Sequence, residues 1–314
     1  MNLLTTGETE AMTLRHNGAD VTKELYARFI AYLDAKPKTI QTYKRALRQL
    51  HAYFSLNGVT KPCREDILAF RVWLQAGHKP ATIQSYITVS RLFFQWLAQE
   101  GLYPNIAEHI KGAVIDKAHK KDYLTSNQAK AVVQGVDRST MRGLRDYAVL
   151  ALMMTGGLRT VEVSRVDIDD MKTAGDSPVL YIQGKGRDEK AEYVKLQPKV
   201  EQAIRDYLKA RGTADPSAPL FTSISNNSAG KRLSTRSISG IVKSRLRDAG
   251  FDSARLTAHS LRHTAVTLAL LAGKTMEEVQ QFARHANITT TQIYNHALDR
   301  GKNSCGEAIE AAIL

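Results

Sequence analysis

The sequence predicts a mainly α-helical protein with two domains and one small antiparallel β-sheet. Apolar residues recur at helical spacing through most of the chain. Only residues 179–196 alternate with a period of two, on both sides of a Gly-Lys-Gly turn. The 314 residues, of which 43% are hydrophobic, suffice for one large domain or two ordinary ones. A weakly periodic, lysine-rich stretch at residues 105–123 separates two helical regions, and we interpret it as a basic linker.

The N-terminal region, residues 21–104, is predicted to form four helices after a short lead-in at residues 1–20. The second helix follows the sequence Lys36-Pro37-Lys38, because proline cannot continue a helix that comes before it. The first helix is expected to begin after Thr22 and the second at Thr39. The third and fourth helices are expected to span residues 64–75 and 81–99.

The charge of the chain indicates a polyanionic partner. The formal net charge is +13 and the pI about 9.7, and nucleic acid is the commonest partner of so basic a protein. Residues 36–48 combine cations with hydroxyl groups and contain no acid, which suits contacts with the phosphate backbone. A solvated basic helix would have the same composition. The candidate DNA-binding residues are Lys36, Lys38, Thr39, Tyr43, Lys44, Arg45, Arg48, Thr82, Ser85, Lys111 and Lys243.

The second domain is expected to span residues 124–314 and to place an arginine in a cleft. An apolar helix at residues 146–155 should be buried and should end at Gly156-Gly157. Arg159 follows directly, and Glu162 can hold its guanidinium by a charge-assisted hydrogen bond. A structural salt bridge at the surface is the alternative.

Lys185 stands at the tip of the predicted hairpin, where it could reach into a cleft or remain an exposed turn lysine. The phosphate-binding loop sequence Gly-x-x-x-x-Gly-Lys-Ser/Thr is absent here. Further helices are predicted at residues 196–211 and 234–249, with a loop-rich stretch at 214–231 between them.

The sequence His259-Ser260-Leu261-Arg262-His263 places an imidazole and a guanidinium on one helix face, because residues three apart are neighbours. The pair His259 and His263 also allows a zinc site, but a metalloprotease motif needs Glu directly after the first histidine, and Ser260 stands there. We therefore predict no metal. Downstream, His285 follows a short helix, and residues 289–291 are expected to cap a helix that carries Tyr294.

These elements together resemble the tyrosine recombinases, the phage integrase family that includes lambda integrase and the Xer proteins. The shared elements are Arg159 in Gly-Leu-Arg-x-x-Glu, Lys185, His259-x-x-Arg262-His263, His285 and Tyr294, in the family's order and approximate spacing. The resemblance covers about residues 20–300. It implies a core-binding (SAM-like) N-terminal domain and an α-rich catalytic domain. Two positions depart from the family pattern: Arg284 replaces the usual Gly before His285, and Lys195 stands where Pro is common.

The resemblance implies a site-specific recombinase that cleaves and rejoins double-stranded DNA through a 3′-phosphotyrosyl intermediate. The catalytic residues would be Arg159, Lys185, His259, Arg262, His285 and Tyr294, supported by Glu162 and His263. It implies no cofactor, no metal and no ATP. It also implies a homo-tetramer on paired DNA sites, in some systems with accessory DNA-bending proteins. Residues 305–314 have helical spacing and are expected to dock on a neighbouring protomer or on their own domain.

Three other functions remain open on the sequence alone. They are a DNA-binding regulator with the same fold, a nicking and closing enzyme of the type IB topoisomerase kind, and a metal-dependent nuclease. Only Cys63 and Cys305 are present, which suits a reducing cytoplasm and supports no disulfide framework. No signal-peptide pattern occupies residues 1–18, and no apolar stretch is long enough to predict a membrane span.

Overall fold

The computed structural model describes residues 20–115, 122–184, 186–213 and 215–294. The chain divides into two compact units, Met1–Lys117 and Ala118–Leu314. The mainly helical architecture with one small antiparallel sheet is confirmed. Lys185, residues 305–314 and all but the last residue of the predicted lead-in lie outside the described residues.

The described part of the first unit contains four helices, as predicted. They are α1 (Lys23–Tyr32), α2 (Pro37–Leu56), α3 (Arg64–Gln75) and α4 (Pro80–Gln99). Helix α2 begins at Pro37 and not at Thr39, so the prediction for its start was wrong by two residues. Proline is accepted in the first turn because the N–H that it lacks has no partner inside the helix, and Pro80 opens α4 in the same way.

The core of the first unit extends into the segment that was predicted to be a linker. Ile106, Ala107 and Ile110 are buried with the aromatic side chains of the four helices. Arginines of α3 and α4 donate to the backbone carbonyls of this segment: Arg64 to Glu108, Arg71 to Lys111 and Arg91 to Ile110. The start of the segment at residues 105–123 is therefore a packed extension of the first unit.

The second unit contains the sheet and the remaining described helices. These are α5 (Ser126–Gln134), α6 (Met141–Thr155), α7 (Thr160–Arg165), β1 (Met171–Ala174), β2 (Ser177–Ile182), β3 (Glu192–Lys195), α8 (Pro198–Arg211), α9 (Thr235–Asp248), α10 (Ala258–Leu271) and α11 (Met276–Ala283). Helix α6 is central, because it packs against α8, α9 and α10.

A buried ion cluster joins α6 to α9. The Asp146 carboxylate accepts two hydrogen bonds on Oδ1 from Arg145 and two on Oδ2 from Arg245, at 2.6–3.1 Å. Arg145 also donates to the carbonyl oxygen of Thr222 at 3.2 Å. The side chains of Arg145 and Asp146 are 6% and 4% exposed. The buried charges of Arg145 and Asp146 therefore lie beside each other, and Arg245 adds a second cation beside the same carboxylate.

The sheet is antiparallel in the order β1-β2-β3, with Leu180 opposite Met171 on one side and Val194 on the other. Strand β1 was not predicted, because its sequence Met-Lys-Thr-Ala lacks an alternating apolar pattern. The β2–β3 connection is tied to the body of the unit by Lys190, whose Nζ lies 2.7 Å from Asp167 Oδ2 and 2.5 Å from Asp170 Oδ2. Among the described helices, none combines the length and the apolar composition needed to cross a bilayer.

Candidate active site

Arg159 emerges from a tight turn at the end of α6. Gly157 adopts φ +58°, and an added Cβ there would lie 3.0 Å from the Phe282 ring, so glycine is favoured on both grounds. Arg159 then occupies the N-cap of α7. Its backbone N–H donates to Glu162 Oε2 at 2.8 Å and its Nη1 to Oε1 at 2.9 Å. The predicted pairing of Arg159 with Glu162 is thus present, with Arg159 27% and Glu162 0% exposed.

Arg262 lies on α10 with its guanidinium in the interior, 1% exposed. Nη1 donates to the carbonyl oxygen of Gly157 and Nη2 to that of Ala283, so this side chain joins the turn before Arg159 to the end of α11. Burial lowers the pKa of Arg262 to about 10, and the charges of Arg159 and Arg284 act in the same direction. The guanidinium remains protonated at neutral pH.

His285 follows α11 and is 8% exposed. Its Nδ1 lies 2.9 Å from the hydroxyl oxygen of Thr291, which is wholly buried. Burial lowers the pKa of His285 to about 4, and the charges of Arg262, Arg159, Arg284 and His259 add to the effect. The ring is therefore neutral at pH 7. If Thr291 donates to Nδ1, then Nε2 carries the hydrogen and can donate to an anion.

Tyr294 belongs to the same unit as Arg159, Arg262 and His285 and lies beside them, with 6% of its surface exposed. Its ring centroid is 4.4 Å from that of His263 and 6.2 Å from that of His285. Burial raises the pKa of the Tyr294 hydroxyl, and the positive charges of Arg262 and Arg159 offset this only in part. Both predicted guanidiniums are thus close enough to act on the phenol.

Residues 289–294 are helical, as predicted for the segment that carries Tyr294. The cap differs from the prediction, because Asn287 Oδ1, and not a threonine of residues 289–291, accepts the Thr289 N–H at 2.9 Å. Thr291 contacts His285 instead. Sequence reasoning missed this role of Thr291, and its only signal was the spacing of six residues from His285.

The two histidines of α10 differ in environment. His263 is 2% exposed and lies against Tyr294. His259 is exposed at the first turn of the helix, and its ring centroid is 5.7 Å from that of His263. The charge of His259 contributes to lowering the pKa of His285. Among the described residues, no group of His, Cys, Asp and Glu has the arrangement of a metal site.

Arg284 is a third guanidinium at this site, and sequence reasoning assigned it no role. Its Nη2 donates to Glu162 Oε2 at 3.1 Å, and the side chain is 10% exposed. Burial raises the pKa of the Glu162 carboxyl, but the charge of Arg284 and the two hydrogen bonds from Arg159 outweigh it, so the pKa is below its ordinary value. The sequence signal was the departure from Gly at this position.

The predicted DNA-binding residues differ in their exposure and in their partners. Six of them are exposed on or beside α2, namely Lys36, Lys38, Thr39, Lys44, Arg45 and Arg48. Tyr43, Thr82 and Ser85 are half-buried, and Lys111 is exposed after α4. Lys243 donates to the Ser253 carbonyl at 2.8 Å and pairs with Asp252 at 2.9 Å, so its ammonium already has two partners. The DNA contacts of all these residues stay predictions.

Comparison with known proteins assigns the chain to a family. Residues 122–300 match the model of the phage integrase family, and residues 26–101 match that of the phage integrase N-terminal SAM-like domain. The chain belongs to the phage integrase family of tyrosine recombinases. A similar curated relative is tyrosine recombinase XerC of Pelobacter propionicus, 30% identical over 271 residues that cover 84% of this chain and 86% of the relative. A tyrosine recombinase of Synechococcus elongatus is 28% identical over 285 residues, 86% of this chain and 88% of that protein.

Solved tyrosine recombinases share the fold. XerH bound to a palindromic difH substrate in a post-cleavage complex superposes with a TM-score of 0.70 at 22% identity, covering 87% of this chain and 81% of XerH. The Tn1549 transposon integrase in complex with transposon right-end DNA gives a TM-score of 0.67 at 19% identity, covering 86% and 93%. At these identities the likeness concerns the fold alone.

The low pKa of His285 predicts a specific acid sensitivity of this tyrosine recombinase. The unfolded chain takes up a proton near the ordinary value of 6.5, whereas folded His285 does so at about 4. Stability is therefore full above about pH 6.5 and falls towards pH 4, by up to about 3 kcal/mol from this group. Urea unfolding from pH 7 to pH 4.5 should show a smaller loss in His285→Asn. His109→Asn is the control, because His109 is 88% exposed; equal losses in both variants would contradict the prediction.

Proposed function

We propose that this chain is a site-specific DNA recombinase in which Tyr294 is the nucleophile. The observation that carries the proposal is the convergence of Tyr294, Arg159, Arg262 and His285 within one unit, with both guanidiniums acting on the phenol. A phosphodiester needs such a cluster, because negative charge grows on its non-bridging oxygens in the transition state. Family membership supports the same reaction.

In the proposed reaction the Tyr294 oxygen attacks a DNA phosphorus, and the bond from phosphorus to the 5′ oxygen breaks. The products are a 3′-phosphotyrosyl bond and a free 5′ hydroxyl. Arg159 and Arg262 would neutralise the non-bridging oxygens, and neutral His285 would donate a hydrogen bond from Nε2. Attack by the 5′ hydroxyl of a partner strand reverses the step and completes strand exchange. Because the bond energy is kept in the phosphotyrosine, ATP is not required, and because two arginines neutralise the charge of the phosphate, a metal is not required.

The proposed reaction also needs two proton transfers, one from the phenol and one to the departing 5′ oxygen. The pKa of Tyr294 is raised by burial, so the phenol needs a base. We assign this role to His259, which lies on the same helix turn as Arg262, and we assign His263 to holding the Tyr294 ring by packing. Lys185 would protonate the departing 5′ oxygen, as the family resemblance implies.

The partner is double-stranded DNA, and the protein would act in the cytoplasm, at the nucleoid. XerH is described bound to a palindromic difH substrate, and the Tn1549 integrase in complex with transposon right-end DNA. We propose that a homo-tetramer assembles on two DNA sites, because exchange needs two sites that each contain two strands. Accessory DNA-bending proteins would help where the two sites must be aligned.

The basic face of α2 is expected to contact the phosphate backbone. Arg45→Gln should weaken binding to any duplex and lower the slope of log affinity against log salt by about one, because one counterion fewer is released. Fluorescence anisotropy over a salt series measures this slope. Lys61→Gln is the matched control, since Lys61 is an exposed cation of the same unit outside α2. Equal slopes for the two variants would remove Arg45 from the interface.

The proposal is tested by trapping the covalent intermediate. Duplexes that the protein binds are first selected from a randomised pool, and the selected site is then rebuilt with a nick next to each candidate phosphate. Cleavage beside a nick releases a short fragment, so religation fails and the adduct accumulates. We expect an SDS-resistant protein–DNA adduct in excess EDTA, with the modified peptide containing Tyr294. Absence of an adduct on every nicked site would leave a DNA-binding regulator as the function, and relaxation of supercoils without strand exchange would favour a nicking and closing enzyme.

A further inference from the structure

Arg284 adopts a conformation that is unusual for its residue type. Its φ and ψ are 52° and 48°, in the left-handed region, where any side chain carries a conformational cost relative to glycine. It closes α11, with its N–H directed at the carbonyls of Gln280 and Gln281. The conformation directs the side chain back across the site, where its contacts can offset the cost.

The guanidinium of Arg284 joins the turn before Arg159 to the segment before His285. Nη1 donates to the carbonyls of Gly156 at 3.2 Å and Phe282 at 2.9 Å. Nη2 donates to Gly157 at 3.3 Å and to Glu162 Oε2 at 3.1 Å. Arg262 donates to the same Gly157 carbonyl. Two guanidiniums therefore hold one turn, and only Arg284 also reaches the carboxylate.

Glu162 makes Arg284 more than a link between backbone segments. A carboxylate that is 0% exposed needs a cation nearby. Without Arg284, the cation hydrogen-bonded to Glu162 would be Arg159 alone, and the carboxylate would neutralise the charge of Arg159. With Arg284 present, three guanidiniums stand against the one fully buried carboxylate, which leaves two positive charges for an anion instead of one. Glu192 also acts on Arg284, but it is 35% exposed and already paired with Arg187. Of the side-chain nitrogens of Arg159, Nη1 is the one that donates to Glu162, and the Arg159 side chain is 27% exposed.

We propose that Arg284 is a positioning residue that balances the charge of Glu162, so that Arg159 and Arg262 present two full positive charges to the phosphate under attack. This inference rests on the proposed function, which names the phosphate as the ligand. Arg284 touches no reacting atom in this scheme and acts through Glu162, Arg159 and the turn at residues 156–157. It distinguishes this pocket from one with glycine at the same position.

Three substitutions separate the charge of Arg284 from its shape in the full-length chain. Arg284→Gly suits the left-handed backbone, Arg284→Met keeps an apolar stem without charge, and Arg284→Lys keeps the charge without the planar fork. Arg211→Met is the structural control, because Arg211 also donates to two backbone carbonyls, those of Pro219 and Leu220, at the end of α8.

The first readout is the maximal rate of adduct formation on the nicked duplex in single turnovers. We expect Arg284→Gly and Arg284→Met to lower it about 10- to 100-fold with little change in the DNA concentration at half-saturation, since a misplaced charge acts on the chemical step. Arg284→Lys should recover part of the rate, and Arg211→Met should keep it. Wild-type rates in the Gly and Met variants, or equal losses in all three Arg284 variants, would overturn the proposal.

The second readout needs no DNA and no activity. The pKa of His285, followed by NMR with labelled histidine, reports the positive charge around it, which comes from Arg262 and His259 on α10, Arg159 before α7, and Arg284. Thr291 and the Tyr294 ring also contact it. The pKa should rise in Arg284→Gly and Arg284→Met but not in Arg284→Lys or Arg211→Met. If the wild-type protein forms no adduct, the proposed function fails, but this titration still tests whether Arg284 sets the charge of the pocket. An unchanged pKa of His285 in Arg284→Gly and Arg284→Met would contradict that role.

Discussion

Tyr294→Phe is expected to abolish the covalent adduct while leaving the fold and DNA binding intact. The substitution removes only the phenol oxygen, and the packing of the ring against His263 is kept. The rate of adduct formation should fall at least about a thousandfold, because no other group can form the phosphoester in its place. Single-turnover trapping on the selected, nicked duplex measures the rate, and anisotropy measures the binding.

Tyr193→Phe is the control for that experiment. Tyr193 belongs to the same unit, and 53% of its surface is exposed, so its hydroxyl should be dispensable. An adduct that persists in Tyr294→Phe, or one that maps to another peptide, would show that the nucleophile has been misassigned. The loss of DNA affinity in Tyr294→Phe would also count against the assignment, because a nucleophile contributes to the chemical step and not to affinity.

Asp146→Ala is expected to have the largest effect on stability. The substitution leaves Arg145, 6% exposed, without its carboxylate and removes two hydrogen bonds from Arg245. Leaving one charge of a buried pair alone costs about 3–5 kcal/mol. Urea unfolding at pH 7 should show this loss in the free energy of unfolding, and Asp146→Asn, which keeps the shape, provides a milder variant if the alanine variant does not fold.

Asp248→Ala separates burial from pairing in that comparison. Asp248 pairs with the same Arg245 at 3.0 Å, but its side chain is 48% exposed. An exposed pair contributes about 1 kcal/mol or less, because water screens both charges. Losses of similar size in Asp146→Ala and Asp248→Ala would mean that the cluster does not stabilise the junction of α6 and α9 in the way that its burial indicates.

Local sequence signals were sufficient for most helices. The third helix was predicted at residues 64–75 and lies at Arg64–Gln75, because its apolar period and its ends are both set by neighbouring residues. Thr125 and Gln128 form a capping box at the start of α5, so this helix start is also set by residues close in sequence. Strand β1 escaped prediction, since a short polar strand takes its conformation from pairing with β2 and has little preference of its own.

The candidate site, too, could be predicted from the sequence only in part. The sequence by itself determined which chemical groups are present and in which order, because residue types and spacings suffice to single out a tyrosine, two arginines and a histidine as candidates for one site. Only the tertiary structure decided how their charges are distributed. Glu162 and Arg284 are 122 residues apart, and their contact depends on how α7 and the end of α11 pack. The neutrality of His285 and the excess positive charge of the pocket follow from that packing, because electrostatic energies depend on distance and burial, which no local pattern encodes.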